Sequence, residues 1–217
     1  MKQIVEIFIA MLISVLWLQA GAEPYFSLST VEGKKISFKG IKEGIEVENY
    51  KGKIVFLEFW GTWCGPCLMS IPHYVSLREK YNDQLRVIAI ETTPENSRKK
   101  LQAYVKDPAS HIDMSRVAYY LRHKAITADQ KASLQKPIEI LKTFIASKKP
   151  INYDVISYGD AKTFISYIAA RAGWQGFLPF MIVLDGRGEV KDMVPGMPTE
   201  TYLEQRIQAL LDSEKSK

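Results

Sequence analysis

The chain has 217 residues, 47% of them hydrophobic and 24% charged, with a formal charge of +5, which fits one domain with insertions or two small domains at most. This composition excludes a disordered or fibrous chain, and a chain this long builds its core without a disulfide framework. The two cysteines are therefore free for chemistry, and the basic excess is too modest to argue for a nucleic-acid partner.

The first residues read as an export signal. Lys2 supplies the positive start, Ile7 to Leu18 form a short apolar run, and Ala20-Gly21-Ala22 gives the small-x-small pattern cut by signal peptidase before Glu23. The expectation is a signal over residues 1–22 and a periplasmic mature chain. The alternative is an uncleaved anchor, because Ile4 and Val5 extend the apolar run and Glu6 is the only charge within it. Residues 25–38 then read as two strands turning at Glu32-Gly33, and residues 39–52, polar with three glycines, as a loop. Lys53 to Trp60 (KIVFLEFW) is a β-branched and aromatic run suited to a buried central strand.

A helical pattern follows from Cys64 to Tyr81, with Pro66 tolerated in its first turn and Pro72 expected to kink it. The next strand is Leu85 to Ile90, and strand–helix–strand without a hairpin implies a parallel crossover. Residues 95–148 read as mostly helical, divided at Pro108 and Pro137 and bounded by Pro150, with Ile138, Leu141, Phe144 and Ile145 at helical spacing. Beyond them come a strand within 151–157, a helix from Asp160 to Ala170, a hairpin of 179–184 and 189–194 about Asp185-Gly186-Arg187-Gly188, and a helix from Thr199 to Leu211.

Cys64-Gly65-Pro66-Cys67 carries the chemistry. Two cysteines three apart at a strand-to-helix junction close a disulfide across the first helical turn, where free N–H groups and the helix dipole stabilise a thiolate. Cys64 gains most from them, so it is the expected exposed nucleophile, and Cys67, deeper in the helix, the resolving thiol. A zinc site would need about four ligands, and His73, His111 and His123 show no ligand spacing. A purely structural disulfide closing so short a loop stabilises little. Glu58 interrupts the apolar strand six residues before Cys64. A carboxylate buried there would have a raised pKa and mark a functional group; the alternative is an edge-facing side chain that reaches water.

WGTWCGPC closely resembles the thioredoxin active site, and GKIVFLEFWGTWCGPC is similar to the exported TlpA/ResA branch. The resemblance implies an α/β thioredoxin fold: a central mixed sheet flanked by helices, an N-terminal β-hairpin, and one domain over 23–217 with a helical insertion at about 97–142. Pro72 matches the proline that bends the family's active-site helix. Gly176-Phe-Leu-Pro179-Phe is similar to its cis-proline loop, so Pro179 is expected beside the sulfurs and Leu178 is expected to offer backbone groups to substrate. Glu58 stands where thioredoxins carry a buried acid, usually aspartate, that assists proton transfer at the second cysteine. Trp63, Gly65 and Pro66 complete the expected substrate contacts. Trp60, Trp63, Phe177 and Phe180 form a candidate aromatic rim, with Trp60 the better fit to the core. Two departures concern thiol tuning: Ser70 replaces a glutamate common in the branch, and Ala89 stands on a strand that carries a lysine in cytoplasmic thioredoxin.

The expected reaction is thiol–disulfide exchange without a cofactor. Its partners are protein thiols and disulfides and, for a reductase, a membrane electron donor. Gly-Pro between the cysteines resembles reducing thioredoxins, and the branch implies reduction of exported disulfides, apocytochromes c among them. An oxidant of folding proteins, a peroxiredoxin-type peroxidase and a non-catalytic assembly module are the rival readings. Between Arg98 and Lys142 ten basic residues face four acidic ones. This is either a solvated outer face or a docking surface for an acidic partner or an anionic membrane.

Overall fold

The computed structural model describes residues 23–123 and 125–215; the export signal expected over 1–22 lies outside the described residues. The N-terminal strands β1 (Tyr25–Ser29) and β2 (Lys35–Ile41) pair antiparallel as the hairpin pattern requires. Residues 39–52, expected as a loop, instead continue β2 and add a third strand, β3 (Gly44–Val47), before a 3-10 turn at Glu48–Tyr50. Ile45 and Val47 are buried and anchor that strand to the core. Only two apolar side chains on a four-residue strand mark it, too few to outweigh the flanking glycines and charges.

Strand β4 (Ile54–Trp60) is buried along its whole length, at the centre of a sheet ordered β6-β5-β4-β7-β8. Its neighbours β5 (Leu85–Glu91) and, beyond it, β6 (Asp154–Ile156) run parallel, whereas β7 (Phe180–Leu184) pairs antiparallel with β4 and β8 (Val190–Pro195) pairs antiparallel with β7. The N-terminal sheet is fastened to both edges of this one: Val31 N–H donates to the Val155 carbonyl at 2.8 Å, and Ile45 N–H to the Gly188 carbonyl at 2.8 Å.

Alternation along β4 assigns its two faces. Val55, Leu57 and Phe59 join a core shared with the N-terminal sheet and helix α7 (Tyr158–Ala172). Ile54, Phe56 and Trp60 face helix α1 (Gly65–Tyr81), so Glu58, between Phe56 and Trp60 in the alternation, points to the same side as Cys67 and Tyr74. Phe164 of α7 is fully buried and its ring meets Phe38 at 4.6 Å and Phe26 at 5.2 Å. Phe164→Ala should remove about 3–5 kcal/mol of stability in urea unfolding, because it empties the layer that joins the two sheets; a loss under about 1 kcal/mol would show that the N-terminal sheet docks without it.

The insertion folds as α2 (Arg98–Lys106), α3 (Pro108–His111), α4 (Met114–Arg122), α5 (Ala128–Ser133) and α6 (Gln135–Ser147). Side chains cap most of these short helices: Ser97 accepts from Lys100 N–H, Asp113 from Ser115 N–H, and Thr127 and Gln130 form a reciprocal capping box. Both α4 and α6 pack on α1. Leu101, Val117, Ile138, Leu141 and Phe144 thereby enter the core that contains both cysteines. Helix α7 begins at Tyr158, two residues before the expected Asp160, because Ser157 rather than Asp160 supplies the cap. The C-terminal helix α8 is Glu200–Lys215.

Candidate active site

Strand β4 ends at Trp60, and Gly61 to Trp63 lead into α1, whose N-cap is Cys64. Pro66 occupies the first turn, where its missing N–H leaves no gap in the hydrogen-bond ladder. Cys64 and Cys67 are joined in a disulfide with Cα atoms 5.2 Å apart. The Cys67 backbone N–H donates to Cys64 Sγ at 3.3 Å. When the pair is reduced, this donor and the start of the helix favour a Cys64 thiolate.

The surroundings of Cys64 correct the expectation of an exposed nucleophile: it is 4% exposed and Cys67 1%. The cause is α4. A methyl group on Gly65 would lie 2.8 Å from the Arg116 carbonyl oxygen and 3.0 Å from Tyr120 Cβ, so the insertion rests directly on the first turn of α1. Gly65 is therefore buried rather than open to a substrate, and Pro66 is half-buried. The aromatic rim divides in two. Trp60 and Phe180 belong to the core, whereas Trp63 and Phe177 are 51% and 49% exposed.

The loop before β7 contains a cis peptide between Leu178 and Pro179. Pro179 is buried, Leu178 is half-buried, and Leu178 touches the core that holds the sulfurs. Ser70 lies one turn beyond the cysteines and donates to the Pro66 carbonyl at 3.2 Å.

Glu58 is 2% exposed, which removes the edge-facing alternative. Its Oε1 makes no hydrogen bond. Burial pushes the carboxyl well above its ordinary value, moderated by the neighbouring Tyr74 hydroxyl. A neutral carboxyl on the face of β4 that looks toward α1 is chemically equipped to exchange a proton with a group at that helix.

A second buried acid went unread in the sequence. Glu91 ends β5, fully buried. Its carboxylate accepts from Thr93 N–H at 2.8 Å and from the Asn96 amide at 2.9 Å. Asn96 also donates to the Thr62 hydroxyl at 2.8 Å, and Trp63 Nε1–H donates to the Thr93 hydroxyl at 2.9 Å. Gly61 makes room for that fold-back, since a Cβ there would sit 2.9 Å from Trp63 Nε1. Glu91 thus fixes Thr62 and Trp63, the two residues before the nucleophile. Burial raises its pKa, and the bonds from Thr93 and Asn96 oppose that rise. Its signal in the sequence is an acid directly after the apolar run Leu85 to Ile90. Glu91→Ala leaves two donors unpaired and should lower stability by about 1–3 kcal/mol, with Trp63 fluorescence shifted to the red; unchanged emission would show that Trp63 is held by other contacts.

The Thioredoxin family profile matches residues 42–106, stopping at the end of α2. The chain is 30% identical over 187 residues to the thioredoxin-like protein YneN of Bacillus subtilis, a match spanning 85% of this chain and 75% of that one. A stretch of 69 residues is 41% identical to the thiol-disulfide oxidoreductase ResA of Bacillus thuringiensis, covering 31% of this chain and 35% of that relative. Among solved structures, a thioredoxin-family thiol:disulfide interchange protein from Chlorobium tepidum superposes with a TM-score of 0.51 at 18% identity, over 88% of this chain and 95% of that one. A thioredoxin-type protein from Neisseria meningitidis gives 0.54 at 17% identity, over 90% and 93%. The last two establish the shared fold. With the disulfide at the head of α1 and the mixed sheet behind it, the chain belongs to the thioredoxin family of thiol–disulfide oxidoreductases.

Proposed function

We propose that residues 23–217 act outside the cytoplasm as a reductase of protein disulfides, resupplied with electrons by a membrane donor. The observation that carries the proposal is the Cys64–Cys67 pair at the helix start, on the face of the sheet that holds a neutral, buried Glu58. Gly-Pro between the cysteines and the Ala20-Gly21-Ala22 motif favour the reducing direction and export. Among the described residues no helix is long and apolar enough to cross a membrane.

In the forward reaction the Cys64 thiolate attacks one sulfur of the client disulfide. A Cys64–client bond forms, and the other client sulfur leaves as a thiolate that takes a proton from water. Glu58, as carboxylate, then accepts the Cys67 thiol proton. Cys67 attacks Cys64 Sγ, the second client sulfur departs, and the client has gained two electrons while the pair is oxidised. Pro179 and the Leu178 backbone hold the client strand beside the sulfurs, and Trp63 and Phe177 provide its apolar contacts. Exported apocytochromes c are candidate clients.

Two measurements test this reading. Reduced protein should open disulfides in an oxidised reporter protein faster than oxidised protein installs them in the reduced reporter; the reverse order would make it a disulfide donor. Protein recovered from its host should start at Glu23. An intact Met1 in the membrane fraction would show an uncleaved anchor.

A further inference from the structure

Cys64 is almost closed off. Helix α4 covers the first turn of α1 at Gly65, and Cys64 as a residue is 4% exposed. Leu178 of the cis-proline loop packs against the core that holds both cysteines. A cleft of about 660 Å³ opens beside Thr62 and Trp63, the two residues before Cys64. Residues that flank the reactive cysteine of a client bound at Cys64 are therefore close to this cleft.

The walls of the cleft are basic. Lys99 and Lys100 come from α2 and Arg116 from α4, against a single lining acid, Asp113. Arg116 shares that acid at 3.4 Å. Lys99 and Lys100 are exposed and form no ion pair among the described residues, in contrast to their neighbour Arg98, which is bound to Asp160. His111 lines the cleft too, stacked on Tyr104 with ring centres 6.0 Å apart, so a flat aromatic surface lies beside the cations. Two unpaired ammonium groups at the rim of a redox cleft raise the local concentration of negative chain segments and repel positive ones.

We infer that the α2–α4 cleft is a substrate subsite that selects clients carrying acidic residues beside the reactive cysteine. The inference rests on the thiol–disulfide exchange reading of Cys64 and is independent of the direction of exchange. The insertion then does two things at once: it closes the helix side of the nucleophile and gives the remaining entrance a charge preference.

The test uses mixed-disulfide peptides of one length whose cysteine is flanked by aspartate, serine or lysine, with the full mature chain. At about 20 mM salt, kcat/KM should be roughly tenfold higher for the acidic peptide than for the basic one, and the difference should shrink at 0.5 M salt. In the double variant K99E/K100E the preference should reverse, while the rate with uncharged 2-hydroxyethyl disulfide stays the same and shows that the thiols are intact. Equal rates for the three peptides would overturn the proposal, as would an acidic preference that survives in the double variant. If the double variant loses sedimentation with phosphatidylglycerol vesicles while its peptide rates stay as in the parent, the lysines serve a membrane and the subsite is refuted. Running the assay as dithiol oxidation separates the two questions. A disulfide donor would fail as a reductase and still prefer acidic peptides.

Discussion

Replacing Cys67 with serine should abolish turnover, by at least about 10³-fold, while leaving the first chemical step intact. Cys64 keeps its helix-terminal position, so the thiolate still forms and still attacks a client disulfide. The serine hydroxyl cannot displace the resulting Cys64–client bond, and the mixed disulfide accumulates. Non-reducing gels of the variant should show a covalent adduct that a dithiol releases, whereas Cys64→Ser should show none. The burial of Cys64 makes this informative, because adduct formation reports whether a client strand reaches a residue that is only 4% exposed. An adduct through Cys67 in the Cys64→Ser protein, with none in Cys67→Ser, would exchange the two roles.

Glu58→Gln should slow resolution of that adduct by about 10²-fold, the usual contribution of a positioned acid or base. The carboxyl is held neutral by burial, so in the parent protein the step should quicken as pH rises toward its raised folded value and the carboxylate forms. The amide cannot accept the Cys67 proton, and the variant's rate should be slow and free of this inflection. Stability carries the same signature with a determined sign. The unfolded carboxyl ionises near its ordinary value of 4.5, and the folded one only at higher pH. The unfolded state therefore loses its proton first, and stability, complete below that pH, falls as pH rises until the folded group also ionises. Across that window the gap between parent and Glu58→Gln should change by about 1.4 kcal/mol per pH unit in the variant's favour. Resolution at the parental rate would leave Glu58 with a structural role alone.

The parts of the molecule legible in the sequence are those set by local pattern. KIVFLEFW reads as a central strand because every side chain in it but Lys53 and Glu58 suits a site buried on both faces. The disulfide at the head of α1 follows from a spacing that fits one helical turn. β3 was illegible because its two buried side chains, Ile45 and Val47, stand among glycines and charges, and pairing with β2 rather than propensity makes it a strand. The closure of Cys64 was hidden for a different reason. It depends on α4, about fifty residues away in sequence, finding a glycine on α1, and no local signal encodes that contact. Glu91 shows the same limit, since its bonds to Thr93 and Asn96 become meaningful only when Thr62 and Trp63 lie opposite them.

The most direct test of the reductase reading is the equilibrium reduction potential of the Cys64–Cys67 pair in defined thiol buffers. A value near −270 mV, or lower, is the predicted result, about that of thioredoxin, and it requires a strong donor to keep the pair reduced outside the cytoplasm. A value near about −120 mV, in the range of DsbA, would contradict it and make the protein a source of disulfides.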